Sequence, residues 1–232
     1  MRRYLAAALL VAVAPAASAA TPTSIQSEYQ ITTTGLRIAT VNESFTRTGE
    51  RYSIQSVTRA EGALKLFKDE TVTFRSEGSV GPRGLRPDAF SQRQLKETKR
   101  DVEAKFDWAR GVLVSHFGGE VHDVPLPADT QDRLSLMYQF MYLSPGAAPL
   151  TIAMSNGRKV EHYHYRFVEE ARITTAAGTF DTLHYARVND DPKESRADVW
   201  LAKDRSNYPV RVVFDDPRGL RLEQSLVSLQ MH

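Results

Sequence analysis

The residues best suited to chemistry are two histidines one position apart, His162 and His164. On an extended strand, residues i and i+2 point to the same side, so this pair could grip one metal ion. Glu161, Glu169 or His184 could add a third ligand. Tetrahedral zinc wants three or four recognisable ligands. The pair also sits in an aromatic run with Tyr163, Tyr165 and Phe167, where solvent-facing polar positions explain it equally well, so no metal is assigned. Asp198, Asp204, Asp215 and Asp216 could offer the two carboxylates of a glycosidase. All four fall at strand ends or in turns, where Asp is favoured for turn geometry alone. His116 and His122 flank Gly118-Gly119 as loop residues. The chain has no Cys and no G-x-S-x-G elbow, and Gly78–Gly84 lacks the Lys-Ser/Thr of a phosphate loop. Asn42-Glu43-Ser44 fits a glycosylation acceptor by letters only. No catalytic residue and no cofactor is assigned, and an enzyme is not expected.

The elements that must position any site are nearly all strands. Ala197–Leu222 organises them as three consecutive antiparallel strands: Val199–Ala202, then Pro209–Phe214, then Leu220–Glu223. Asp204–Asn207 and Asp215–Gly219 supply the two turns, the second with a fixed φ at Pro217 and freedom for positive φ at Gly219. Trp200 is expected to bury a large ring in the sheet core, and Pro209 to open the second strand, where a missing N–H is tolerated. Earlier strands are read at Leu36–Phe45, Tyr52–Val57, Leu64–Phe67, Thr71–Phe74, Leu85–Leu95, Thr98–Phe106 and Gly111–Phe117, each with period-two alternation and turn residues between. Later ones fall at Leu150–Met154, Val160–Glu169, Ala171–Thr175 and Thr179–Val188, with Asn156-Gly157 as a hairpin turn. Asn189–Ser195 is a polar loop.

One stretch breaks the pattern. Leu134, Met137, Tyr138, Met141 and Tyr142 recur at helical spacing, while Leu136, Phe140 and Leu143 make the other side apolar too. A helix apolar all round is a buried one. It is expected near 129–143, capped by Asp129 or Thr130 and stopped at Pro145-Gly146. The fold class is therefore mainly β: a strongly curved antiparallel sheet or open half-barrel with one buried helix.

Residues 1–19 read as a cleaved signal peptide: basic Arg2-Arg3, an apolar run over Tyr4–Ala14, and Ala17-Ser18-Ala19 as an A-x-A site. The apolar run is shorter than the ~20 residues that span a bilayer, and no Cys follows it to carry a lipid anchor. Arg2 and Arg3 are two of the 30 basic residues, so residues 20–232, read as a single β-rich domain, carry 28 against 28 acidic ones. No basic block suggests nucleic acid. A periplasmic protein, not integral to the membrane, is expected.

Asp129–Tyr142, with Asp132, Leu134, Ser135 and Tyr138 as its core, and Val199-Trp200-Leu201 followed by Tyr208-Pro209-Val210-Arg211 resemble the exported bacterial family called domain of unknown function 3108. Arg133 falls between the Asp and the Leu. The resemblance implies a strand-rich layout with one central helix, similar to the periplasmic lipoprotein-carrier fold, an open barrel that shields acyl chains. The family brings no activity with it. The apolar surplus of the helix and of Val160–Glu169 fits a half-barrel that holds a lipid or other apolar molecule between the helix and the concave sheet, with Met137 and Met141 adapting to the ligand and Tyr138, Tyr142, Tyr163 and Tyr165 lining the mouth, rings inward and hydroxyls to water. The alternative is an envelope scaffold whose sheet edges bind a partner protein by strand addition.

Overall fold

The computed structural model describes residues 21–62, 65, 70–143, 146, 148–188 and 194–232. The expected leader (1–19), most of the strand at Leu64–Phe67, the helix stop at Pro145 and the loop residues 189–193 lie outside the described residues. The N-terminal half is a meander of β1 (Ser24–Thr33), β2 (Leu36–Thr48), β3 (Arg51–Ala60), β4 (Thr71–Gly81), β5 (Gly84–Gln94), β6 (Val102–Asp107), β7 (Val112–Phe117) and β8 (Glu120–Pro125). The C-terminal half is a second meander of β10 (Leu150–Ser155), β11 (Val160–Thr175), β12 (Gly178–Val188), β13 (Arg196–Ala202), β14 (Tyr208–Asp215) and β15 (Arg221–Met231). Between them lie a two-residue strand, β9 (Gln131–Asp132), and the helix α1 (Ser135–Gln139).

All the described strands form one sheet, ordered β8 to β1, then β15 to β9. The first and last strands meet at its centre, where β1 pairs antiparallel with β15. Short hairpin turns enforce antiparallel pairing almost everywhere. β9 pairs parallel with β10, aligning Gln131 with Met154 and Asp132 with Ser155, because the chain reaches it by a crossover that need not reverse direction. The order ends at β8 and β9 and does not close, so the chain adopts the mainly β, open-barrel class expected of it, with a small parallel pair added.

Where strands do not pair, a hairpin tip draws the two halves together. Asn156-Gly157 turns β10 into β11 as expected: the Asn156 side-chain oxygen accepts the N–H groups of Arg158 and Lys159. Gly157 has φ +86°, and a Cβ there would lie 2.6 Å from Val102 Cγ1. The Ser115 hydroxyl on β7 donates to the Gly157 carbonyl. This close approach seats the tip against β5, β6 and β7.

The inward rows of both meanders close on α1. Leu134, Tyr138 and Met141 join Ile25, Phe45, Ile54, Val210 and Leu226 in one cluster. Leu136 and Phe140 join Ile152, Tyr165, Leu183, Tyr185 and Leu201 in another. The helix is buried as its composition demands, but it is much shorter than 129–143. Asp129 has φ +61°, outside helical space, and Gln131–Asp132 are extended against β10. The cap is Asp132, not Asp129 or Thr130: its Oδ1 accepts the N–H groups of Leu134 at 2.8 Å and Ser135 at 2.9 Å. Ser135 Oγ in turn accepts the Asp132 N–H at 2.8 Å. Past Gln139 the chain continues in i→i+3 turns, with Met141 N–H on Tyr138 O and Tyr142 N–H on Gln139 O.

Four local expectations differ. Trp200 is half-buried, its face stacked on His184 at 4.2 Å with the Arg211 guanidinium 5.3 Å from its centre. These three residues are cross-strand neighbours on β12, β13 and β14. Pro209 is the second residue of β14, and a register shift places it opposite Leu201 while Arg211 faces Trp200, leaving Val210 as a bulge. The bulge changes the alternation, so Val213 is buried and Phe214 partly exposed. Finally, β8 forms over Glu120–Pro125, where a loop around His122 is expected, and Thr98–Arg100 is a 3-10 turn before β6.

Candidate functional site around the central helix

Asp132, Leu134, Ser135 and Tyr138, the motif residues of the helix, tie α1 to the sheet. Asp132 is fully buried, and its Oδ2 accepts the Ser76 hydroxyl at 2.5 Å. Ser76 meets the Tyr52 hydroxyl at 3.1 Å, which makes a chain from β3 through β4 to β9. No cation neutralises this carboxylate among the described residues, and burial pushes its pKa up to about 6 against the pull of its hydrogen bonds. A second network starts at Tyr138, whose hydroxyl donates to Glu43 Oε2 at 3.3 Å. Its ring stacks on Phe45 at 5.2 Å and meets Tyr208 edge-on at 5.7 Å. Tyr208 reaches Ser27 at 2.9 Å, and the Tyr29 hydroxyl donates to Pro209 O at 2.8 Å. Burial also raises the Glu43 carboxyl.

The structure spreads the six residues expected to line a ligand over three environments. Tyr138, Met141 and Tyr165 are buried in the packed core. The hydroxyl of Tyr138 meets Glu43, not water. Met137 is half-buried between the two clusters that grip the helix. Tyr163 is half-buried beneath the Arg187 guanidinium, 4.4 Å from its ring centre. Tyr142 borders a sizeable cleft.

That cleft, of about 470 Å³, lies between the end of α1, the segment before β9 and the outer edge of β10. Tyr142, Leu143, Ile152 and Ala153 give it apolar wall. Arg83 and Asp129, paired at 2.6 Å, and His162 stand at its margin. Gln131 and Gln139 provide its polar groups. Gln139 is fully employed: Oε1 accepts the Leu85 N–H at 2.8 Å, and Nε2 donates to Arg83 O at 2.7 Å. Gln131 donates through Nε2 to Leu85 O at 2.8 Å, but its buried Oε1 has no partner among the described residues. A buried acceptor left unmade costs roughly 1–3 kcal/mol.

The other candidates are placed as follows. His162 and His164 are exposed on one side of β11, and His164 Nδ1 meets Thr151 Oγ1 at 3.0 Å. No group of three potential metal ligands converges among the described residues. Asp198 pairs with His184 at 2.6 Å, Asp204 with Arg205, Asp215 with Arg221 and Asp216 with Arg218. No two of these carboxylates share a site. Sequence reasoning missed Gln131 as a site residue. The available signal was a polar residue beside an all-apolar helix, since a buried amide demands partners.

An open, β-barrel-like sheet folded around a short internal helix is the class these features define. By sequence, residues 28–225 match the family model described as "Protein of unknown function (DUF3108)", and the chain belongs to that family. No curated protein matches the sequence. Among solved structures, the β-barrel-like protein of domain of unknown function DUF1849 from Brucella abortus is similar in fold, with a TM-score of 0.59 at 12% identity. The match covers 91% of this chain and 99% of that one. A candidate lipoprotein from Parabacteroides distasonis aligns at TM-score 0.39 and 10% identity, over 90% of this chain and 96% of that one. A candidate exported protein with a YmcC-like fold from Bacteroides fragilis aligns at TM-score 0.40 and 11% identity, with the same coverage. Those two scores are too low to carry an argument. Among the described residues no helix is long and apolar enough to cross a membrane.

Proposed function

We propose that the protein is a non-enzymatic ligand-binding protein of the periplasm, exported through a cleaved leader over residues 1–19, that holds an apolar or amphipathic molecule such as a lipid in the cleft beside β10. One observation carries the reading: the cleft has an apolar wall of Tyr142, Leu143, Ile152 and Ala153 with the polar side chains of Gln131 and Gln139 beside it. Binding sites of this kind combine apolar surface with a few placed polar groups.

Strand addition at the sheet edges has less support. β8 carries Glu120, His122 and Asp123 and ends in Pro125, and charges and proline on an edge strand oppose pairing with another chain.

The test is titration with the fluorescent apolar probe N-phenyl-1-naphthylamine. Thr151→Trp, an exposed position at the cleft, should leave the melting temperature unchanged and weaken probe binding about tenfold by filling the space, an effect of ~1.4 kcal/mol. Equal affinity in the folded variant would contradict the reading. N-terminal sequencing of the exported protein tests the location: a first residue near Ala20 is expected, and a chain still starting at Met1 in the membrane fraction would contradict it.

A further inference from the structure

A second cleft opens on the other side of the β9–α1 junction, and its chemistry is different. It has a volume of about 330 Å³ and is lined by Gln92 and Gln94 of β5, Arg100, Arg133, and Asn156 and Arg158 at the β10–β11 turn. Three guanidinium groups and three side-chain amides converge there, with no carboxylate in the lining. Arg100 is offset by Glu97, at 2.8 Å. Among the described residues, neither Arg133 nor Arg158 has a carboxylate partner. The Arg133 guanidinium lies 5.8 Å over the Phe74 ring and that of Arg158 lies 5.1 Å over Phe117, while Arg158 Nη2 donates to Arg100 O at 3.2 Å. Arg133 is exposed. The protein packed on its other sides disfavours the charge and lowers its pKa.

The amides complete the pattern. Asn156 spends its side-chain oxygen on the turn, accepting from Arg158 and Lys159, so what it offers the cleft is its NH2 donor. Gln92 donates to Arg100 O at 3.4 Å, which holds the Arg100 backbone against β5. Arg133 and Arg158, neither paired with a carboxylate, repel one another, and a cleft that gathers such donors is complementary to an oxyanion. A phosphate group, with several acceptor oxygens, matches this donor set better than a carboxylate with two.

We propose that this cleft binds a phosphate group, gripped by Arg133 and Arg158 and bordered by the amides of Gln92, Gln94 and Asn156. The site stands apart from the apolar cleft and does not depend on it. Its occupant is either free phosphate or the headgroup of an acidic lipid.

Calorimetric titration at low ionic strength separates the two sources, with inorganic phosphate and dioctanoyl phosphatidic acid, below its micelle concentration, as probes and dioctanoyl glycerol as the uncharged control. Phosphate and the phosphatidic acid bound with equal affinity identifies a free oxyanion. The phosphatidic acid bound more tightly, with no binding of the glycerol, identifies a headgroup. In either case Arg133→Gln and Arg158→Gln should each weaken binding about tenfold or more, the loss expected for a charge-assisted hydrogen bond. Arg133→Lys should fall in between, because a lysine cannot grip two oxygens at once. Absence of binding by both anions to the wild-type protein, or unchanged affinity in glutamine variants that melt like wild type, would overturn the assignment. The probe titration with Thr151→Trp is unaffected by either result.

Discussion

The core side of the β9–α1 segment and its two clefts lie within a few residues of each other and are built in opposite ways. On the core side, Leu134, Leu136, Tyr138, Phe140 and Met141 are buried, and the polar atoms of Asp132 and Ser135 all have partners. At the clefts, among the described residues, the buried Gln131 oxygen has no partner and Arg133 has no carboxylate partner. A satisfied, close-packed region holds the fold, whereas unsatisfied groups facing a cleft have capacity left for a ligand. Of the rings that suggest a ligand pocket in the sequence, those of Tyr138 and Tyr165 belong to the first kind, and that of Tyr142 borders a cleft.

Truncation on the core side should have the largest effect. Phe140→Ala removes a fully buried ring in edge contact with Tyr165 at 5.7 Å, and should cost about 3–5 kcal/mol in denaturant unfolding. A variant as stable as wild type would break the contrast.

Asp132 should show itself through pH. Its native pKa, about 6, lies above its ordinary value of 3.8. Between these values the folded state holds a proton that the unfolded state has lost, so this residue's contribution to stability falls as pH rises from about 4 to 6. The fall should be roughly 3 kcal/mol, two pKa units at 1.36 kcal/mol each. Glu43, also raised by burial, acts in the same direction. Asp132→Asn should flatten the profile relative to wild type in that window, as read by melting temperature against pH. Identical profiles would show that the carboxyl titrates as if exposed.

The half-buried Trp200 should matter less than Phe140. Trp200→Ala loses the stack on His184 and the Arg211 contact, and should cost about 2 kcal/mol, from one aromatic pair plus partial area loss. A loss as large as that of Phe140→Ala would mean that the ladder on this face is part of the core. Gly157→Ala should cost about 1–3 kcal/mol, since the added methyl must displace Val102. Its readout is faster proteolysis at the β10–β11 tip.

Most of the sheet is legible in the chain because period-two alternation survives wherever one face is buried. The Asn156-Gly157 hairpin is legible from turn chemistry alone. β8 is not: Glu120, His122 and Asp123 leave no apolar face to read, since an edge strand buries little. The helix is overextended in the sequence because apolar spacing cannot show that Gln131 and Asp132 will pair with Met154 and Ser155. The clefts are hidden for a related reason. Gln131 depends on Leu85, and Arg133 lines one cleft with Arg100 and Arg158, residues far apart in the chain.

If the proposed function holds, an apolar ligand binds beside β10 and not between the helix and the sheet. Amide NMR spectra recorded during titration with N-phenyl-1-naphthylamine test it most directly. The account predicts saturable shifts at Gln131, Leu143, Ile152 and Ala153. Shifts centred on Leu136, Leu183 and Leu201 would place the ligand inside the core and contradict it.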